Sequence, residues 1–271
     1  MLFRSNDNFI SIGTDAGKAY FEISDGSTYM TIPGTVAVND NAWHHLAVTR
    51  QSGTVTLYVD GVPVGTGSSS VSVSNAYETQ LGTSPCVGAN GSSQFNGSMD
   101  ELRLWSRALC RSEVQQYQNN ELPYSSGNGL LAYYKFNQGN VNSNNAAITQ
   151  AHDEVTNTNN ATLHNFALNG SASNWAAGTV TGTASLFAGS DVGFHYRTVA
   201  SGNWNDASIW EVSTDNINFS AACASPAANA LSIKVRTPHI VTVTANVTTV
   251  TTTVETGGTL NVNTGVVFDT H

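Results

Sequence analysis

Charge is scarce in this sequence. Only 11% of residues are Asp, Glu, Lys or Arg, and 10 Lys and Arg face 19 Asp and Glu, for a net charge of -9. With so few cations no basic stripe can form to neutralise phosphates, which excludes a nucleic-acid partner. Cysteine is rare as well, with 3 residues. Cys86, Cys110 and Cys223 have neither CxxC spacing nor neighbouring histidines, which argues against a zinc site. One disulfide among them suits an oxidising compartment, with Cys86–Cys110 the expected pair. No apolar run is long enough to span a bilayer. The opening "MLFRSNDNF" has no apolar core and no cleavage site, unlike a secretory signal. Both it and the closing "NTGVVFDTH" read as cuts, so the chain is expected to be a fragment of something longer.

What is present is a 40% hydrophobic chain whose polar remainder is mostly Asn, Thr, Ser and Gly. That mixture suits short strands joined by turns and disfavours long surface helices. Period-two alternation marks "KAYFEIS", "TVTLYVDG" and "MDELRLW" as half-buried strands, with "SGT" and "DGV" as hairpin turns. Strands at such short spacing point to a sandwich or jelly roll. One stretch departs from the pattern. "SRALCRSEVQQYQNN" sets Leu109, Val114 and Tyr117 on one helical face, with Ser112 as N-cap, and predicts one short helix near 108–119. From about residue 137 to 193 the text reads as a loop-rich connector, though "ATLHNFAL" can add a strand. Beyond it, "HIVTVTANVTTVTTTVETGGTLNVNTGVV" is nearly uncharged and rich in Thr and Val, like the rungs of a parallel β-solenoid with Thr on its outer face. The expected organisation is an all-β chain: a jelly roll over 6–136, a connector over 137–193, and a second β-rich, β-helical region over 194–271.

The stretch "NDNAWHHLAVTR" carries adjacent histidines. Successive strand side chains point to opposite faces, so His44 would lie with Leu46 and Val48, and His45 with Trp43 and Ala47. Without a bulge such a pair cannot clamp one ion, and a structural role is expected for both. Trp43 and Trp105 alternate into core positions, Trp204 and Trp210 are expected to pack, and Asp60 reads as a hairpin residue. These residues also carry a resemblance. "NAWHHLAVTRQSGTVTLYVDGVPV", followed by "LGTS" and "FNGSMDELRLWSRALCRSEV", resembles the laminin-G-like, concanavalin A-like jelly roll of bacterial surface proteins, over about residues 6–120. Its motifs are Trp43-His44-His45, Tyr58-Val59-Asp60-Gly61, and Phe95-Asn96-Gly97 leading into Asp100-Glu101 and Trp105. The resemblance implies two curved antiparallel sheets with the Trp-His-His strand in the scaffold. The opening strands usual in such domains are missing, which implies N-terminal truncation. "GLLAYYKFNQG" resembles a segment that recurs around these domains, and "SGNWNDASIW" and "GGTLNV" are similar to the start of β-helical repeats in large secreted bacterial proteins.

Some jelly rolls of this superfamily hydrolyse glucans. Retaining glycosidases hold two carboxylates roughly 5 Å apart, and in those glucanases both lie on one strand face, two or four positions apart. No acidic pair here is two apart, and the pair four apart, Glu211 and Asp215, lies in the second region. Non-catalytic behaviour is therefore expected. Calcium takes carboxylate, amide and carbonyl oxygens, and Asp153, Asn157 and Asn159 share one loop that could supply them. The competing reading is that Asn and Asp are there to make turns. The functions expected are an adhesion or carbohydrate-binding module of a large secreted or cell-surface protein, with glycans or matrix polymers as partners, or an accessory domain of a secreted polysaccharide-degrading enzyme.

Overall fold

Three hairpins with two-residue loops shape the N-terminal half. The computed structural model describes residues 8–74, 79–83, 94–122, 129–178, 180, 182–183, 194–213, 215–228 and 230–270. Strands β1 (Asn8–Asp15), β2 (Lys18–Asp25) and β3 (Tyr29–Ile32) form one antiparallel sheet, and β4 (Leu46–Gln51), β5 (Thr54–Val59) and β6 (Val62–Ser68) form another. Ser52 and Gly53 join β4 to β5 with φ of 49° and 84°, and Asp60 and Gly61 join β5 to β6 with φ of 50° and 70°. Two successive left-handed residues make the turn whose twist matches the flanking strands, and glycine carries its second position without strain.

The alternation read in the sequence becomes the core. Ala19, Phe21 and Ile23 of β2, Ile32 of β3, Val55, Leu57 and Val59 of β5, and Val71 form one buried cluster drawn from both sheets. A fully buried side chain of this kind contributes roughly 1.5–3 kcal/mol, so the sandwich rests on these few alternating positions.

The chain then forms β7 (Leu102–Trp105), helix α1 (Arg111–Tyr117), β8 (Asn120–Glu121), β9 (Leu130–Tyr134), β10 (Gln150–Ala151), β11 (Ala161–Thr162) and β12 (Gly182–Thr183). Antiparallel pairs join β7 to β9 and β10 to β11, and a parallel pair joins β8 to β12. "ATLHNFAL" thus supplies only a two-residue strand. The helix falls within the predicted span, but its cap differs. Ser112 is its second residue, fully buried, and Cys110 occupies the cap position. The Glu113 carboxylate accepts from the Cys110 N–H at 3.1 Å, and the Val114 N–H donates to the Cys110 carbonyl at 3.0 Å. This is half of a capping box with cysteine in the place of serine.

The chain divides into two compact units: Met1–Leu109 with Tyr117–Ala184, and Cys110–Gln116 with Ser185–His271. The helix therefore groups with the second unit, and this corrects the disulfide. Cys110 bonds Cys223, with Cα atoms 6.0 Å apart at a sequence separation of 113, while Cys86 lies outside the described residues.

The second unit is built from β13 (His195–Thr198), β14 (Gly202–Asn203), β15 (Trp210–Ser213), β16 (Ser220–Ala221), β17 (Ser232–Val235), β18 (Ile240–Val243), β19 (Val247–Thr249), β20 (Thr252–Val254), β21 (Thr259–Val262) and β22 (Phe268–Thr270). Parallel ladders join β13–β17–β20, β14–β18–β21 and β19–β22. Ile233 pairs with Thr252 and Ile240 with Thr259, each 19 positions on, whereas Val247 pairs with Phe268, 21 on. This is the coil-on-coil stacking of a parallel solenoid. The first step is longer, from His195 to Ser232, because the β15–β16 hairpin is inserted within it. Trp204 and Trp210 fill the interior as expected, edge-to-face with ring centroids 5.0 Å apart. Their indole N–H groups donate to the carbonyls of Pro226 and Trp204. A buried indole needs such a partner.

Candidate functional site

The paired histidines lie in the extended segment just before β4, and what holds them comes from the β5–β6 turn. The His44 ring is gripped from both sides: Nδ1 lies 2.8 Å from Asp60 Oδ2 and Nε2 lies 3.0 Å from Asp40 Oδ1. Hydrogen bonds from Asp60 and then Asp40 raise the His44 pKa above its usual value, outweighing partial burial. Asp60 also accepts the His45 N–H through its other oxygen at 2.8 Å, and its own N–H donates to the His45 carbonyl at 2.9 Å. Asp60 is thus a clamp between two chain segments, which its reading as a plain turn residue missed. His45 is pushed down to about 4, first by burial and then by the Arg103 charge. The two imidazoles do not share a ligand: His44 meets carboxylates, while His45 Nδ1 is buried without a hydrogen-bond partner among the described residues.

Trp43 departs from expectation. It is 43% exposed. The residue precedes the strand, so strand alternation does not govern it. Trp105 is half-buried and stacks on Tyr117 at 5.8 Å with ring planes 7° apart.

A second cluster gathers on β7 and β9. Arg103 donates to Glu101, to the Asn120 carbonyl, and to the Tyr117 carbonyl at 2.7 Å. The Tyr133 hydroxyl donates to Glu101 and accepts the Leu122 N–H at 3.1 Å. The side chains of Glu101 and Arg103 are 8% and 7% exposed, so this is a buried ion pair. Burial raises the Glu101 pKa, and the bonds from Tyr133 and Arg103 only partly offset it. Burial also raises Asp100, and raises Tyr133 well above the usual tyrosine range with help from Glu101. Glu101 and Arg103 are two positions apart, the spacing that strand alternation places on one face, and φ at Glu101, just before β7, is positive (55°). Glu101 is committed to two internal donors. That arrangement locks the fold at this point.

The loop expected to bind calcium is also tied to itself. Asp153 is 1% exposed. Its Oδ1 accepts the N–H groups of Tyr133 at 3.0 Å and Val155 at 3.1 Å, and its Oδ2 accepts the Thr156 hydroxyl at 2.7 Å and N–H at 3.4 Å. Burial works to raise this carboxyl, but the bonds from Thr156, Tyr133 and Val155 win and lower it. Asn157 Oδ1 accepts from Asn160 at 3.3 Å, and Asn159 Nδ2 donates to Thr156 Oγ1 at 3.5 Å. Asp153, Asn157 and Asn159 do share one loop, yet their side chains serve its internal bonds. A cation at Asp153 would have to displace protein donors.

With this geometry established, residues 1–115 are seen to match the family of the concanavalin A-like lectin/glucanases superfamily, laminin G type 3. In the matched part of the chain, two three-stranded antiparallel sheets share one buried core. Among named relatives, the chain is similar to adhesion G-protein coupled receptor V1 of Danio rerio, at 26% identity over 120 residues. That match covers 43% of this chain and 2% of the receptor, so the chain spans a very small part of that relative. Among solved structures it is similar to an S-layer domain-containing protein from Clostridium thermocellum, at 26% identity and a TM-score of 0.24. This similarity covers 41% of this chain and 56% of that one. No helix among the described residues is long and apolar enough to cross a membrane.

Proposed function

We propose that the chain acts outside the cell or on its surface as an adhesion module that binds glycan or matrix polymers without chemically altering them. The observation that carries this reading is the match of residues 1–115 to the lectin/glucanase superfamily. The similarity to an adhesion receptor supports the same direction. A non-catalytic role is supported by the commitment of Glu101 to Arg103 and Tyr133, because a glycosidase needs its carboxylates free to reach a glycosidic bond. The test is a glycan array probed with the full chain, with calcium and with chelator, alongside an assay for released reducing ends. Binding to at least one class of glycan without cleavage is the expected result. Cleavage, or an empty array, would overturn the proposal.

A further inference from the structure

A shallow depression of about 560 Å³ opens at the far end of β4 from the histidines, lined by Arg50, Ser52, Gly53, Ser68, Ser69 and Ser70. It is wide open to solvent rather than enclosed. The fold builds it from the β4–β5 turn and the chain leaving β6. Thr54 pairs with Ser68 at the ladder's end, and the Ser69 N–H donates to the Gly53 carbonyl at 2.8 Å, which carries the serine run beside the turn. The Ser69 hydroxyl is spent inside, accepting the Val71 N–H at 3.2 Å. Ser52, Ser68 and Ser70 are exposed.

The charge in this depression is unusual for the molecule. The chain carries a net charge of -9, and Arg103, Lys135, Arg197, Lys234 and Arg236 each face a carboxylate. Arg50 faces none among the described residues. One Nη1–H donates to the Val71 carbonyl, which fixes the guanidinium in place. A guanidinium has five N–H donors in a planar fork suited to carboxylate and sulfate oxygens. A fixed cation with spare donors, ringed by hydroxyls and free of acidic neighbours, matches an anionic polyol.

We infer that this depression takes the anionic group of an acidic sugar, the carboxylate of a uronic acid residue or a sulfate ester, with Arg50 on the anion and the exposed serines on neighbouring ring hydroxyls. The inference rests on the glycan-binding reading above and names the class of glycan. Two polymers separate the two sources of charge: polygalacturonate for the carboxylate and dextran sulfate for the ester, with plain dextran as the neutral comparison.

The experiment measures binding of the full chain to the three polymers by biolayer interferometry at fixed salt. At least one acidic polymer should bind about tenfold or more tightly than plain dextran, and Arg50→Gln should remove about tenfold or more of that affinity. Arg50→Lys, which keeps the charge but loses the fork, should fall between. If Arg50→Gln lowers the melting temperature, Ser70→Glu decides instead: it sets a like charge beside the anion, leaves the Arg50–Val71 bond alone, and should weaken acidic polymers selectively. Acidic polymers that bind both variants as they bind the wild type would overturn the inference. So would equal affinity for plain dextran. A neutral glycan bound with no loss in either variant would remove this site and leave the glycan reading standing, whereas no binding to any glycan would remove both.

Discussion

Asp60 illustrates how much one residue can join. Its two oxygens and its N–H hold both histidines, so the β5–β6 turn and the segment before β4 are one structure. The histidines respond to pH in opposite senses. His44 is raised, so its contribution is complete below the ordinary value near 6.5 and fades as pH rises through its folded value. His45 is held at about 4, so its contribution is complete above that ordinary value and drains as pH falls toward 4. At about 1.4 kcal/mol per pH unit, the His45 contribution amounts to about 3 kcal/mol across that window. Urea unfolding at pH 7.5 and pH 4.5 should therefore show a smaller loss for His45→Gln than for the wild type. Equal losses would mean that His45 is not held neutral by the fold. The clamp was partly legible in advance: a two-residue turn at Ser52–Gly53 sets a register that places position 45 opposite position 60. What alternation could not give was the side-chain direction of Trp43, because the strand begins only at Leu46.

Among the elements, the loop from 153 to 160 is held by a buried carboxylate. Asp153→Ala would leave the Tyr133 N–H buried and unpaired, and a loss of about 2–3 kcal/mol is expected, read from denaturant midpoints. Because the Asp153 oxygens already have four protein donors, thermal melts of the wild type in calcium and in chelator should coincide. A rise with calcium that Asp153→Ala abolishes would restore the loop as a cation site. The shared loop was visible from the spacing of Asp and Asn, but the direction of their side chains was not, since turn-making and metal-binding draw on the same residues. The helix shows the same limit. Its apolar face was readable from Val114 and Tyr117, both buried. Its cap was not, because a cysteine whose backbone N–H is taken by Glu113 is chemically unlike the usual hydroxyl cap.

At the scale of the whole molecule, the alternating strands of the first unit and the Thr/Val rungs of the second both announced themselves through periodicity, which is a local property. The disulfide did not, because it depends on which unit helix α1 packs with, and the chain enters that unit at Cys110, leaves it after Gln116, and returns at Ser185. The Cys110–Cys223 bond thereby becomes a covalent shortcut for mechanical load. Tension applied to the two ends passes across the bond, and the 113 residues of separation carry none of it. At roughly 3.5 Å per extended residue this stores about 400 Å of contour length. Single-molecule stretching should release that length only in reductant or in Cys223→Ser, and equal total extension with and without reductant would show that the shortcut is not closed. For the adhesion role proposed above, such a reserve would set how far two joined surfaces can separate before the tether is fully drawn out.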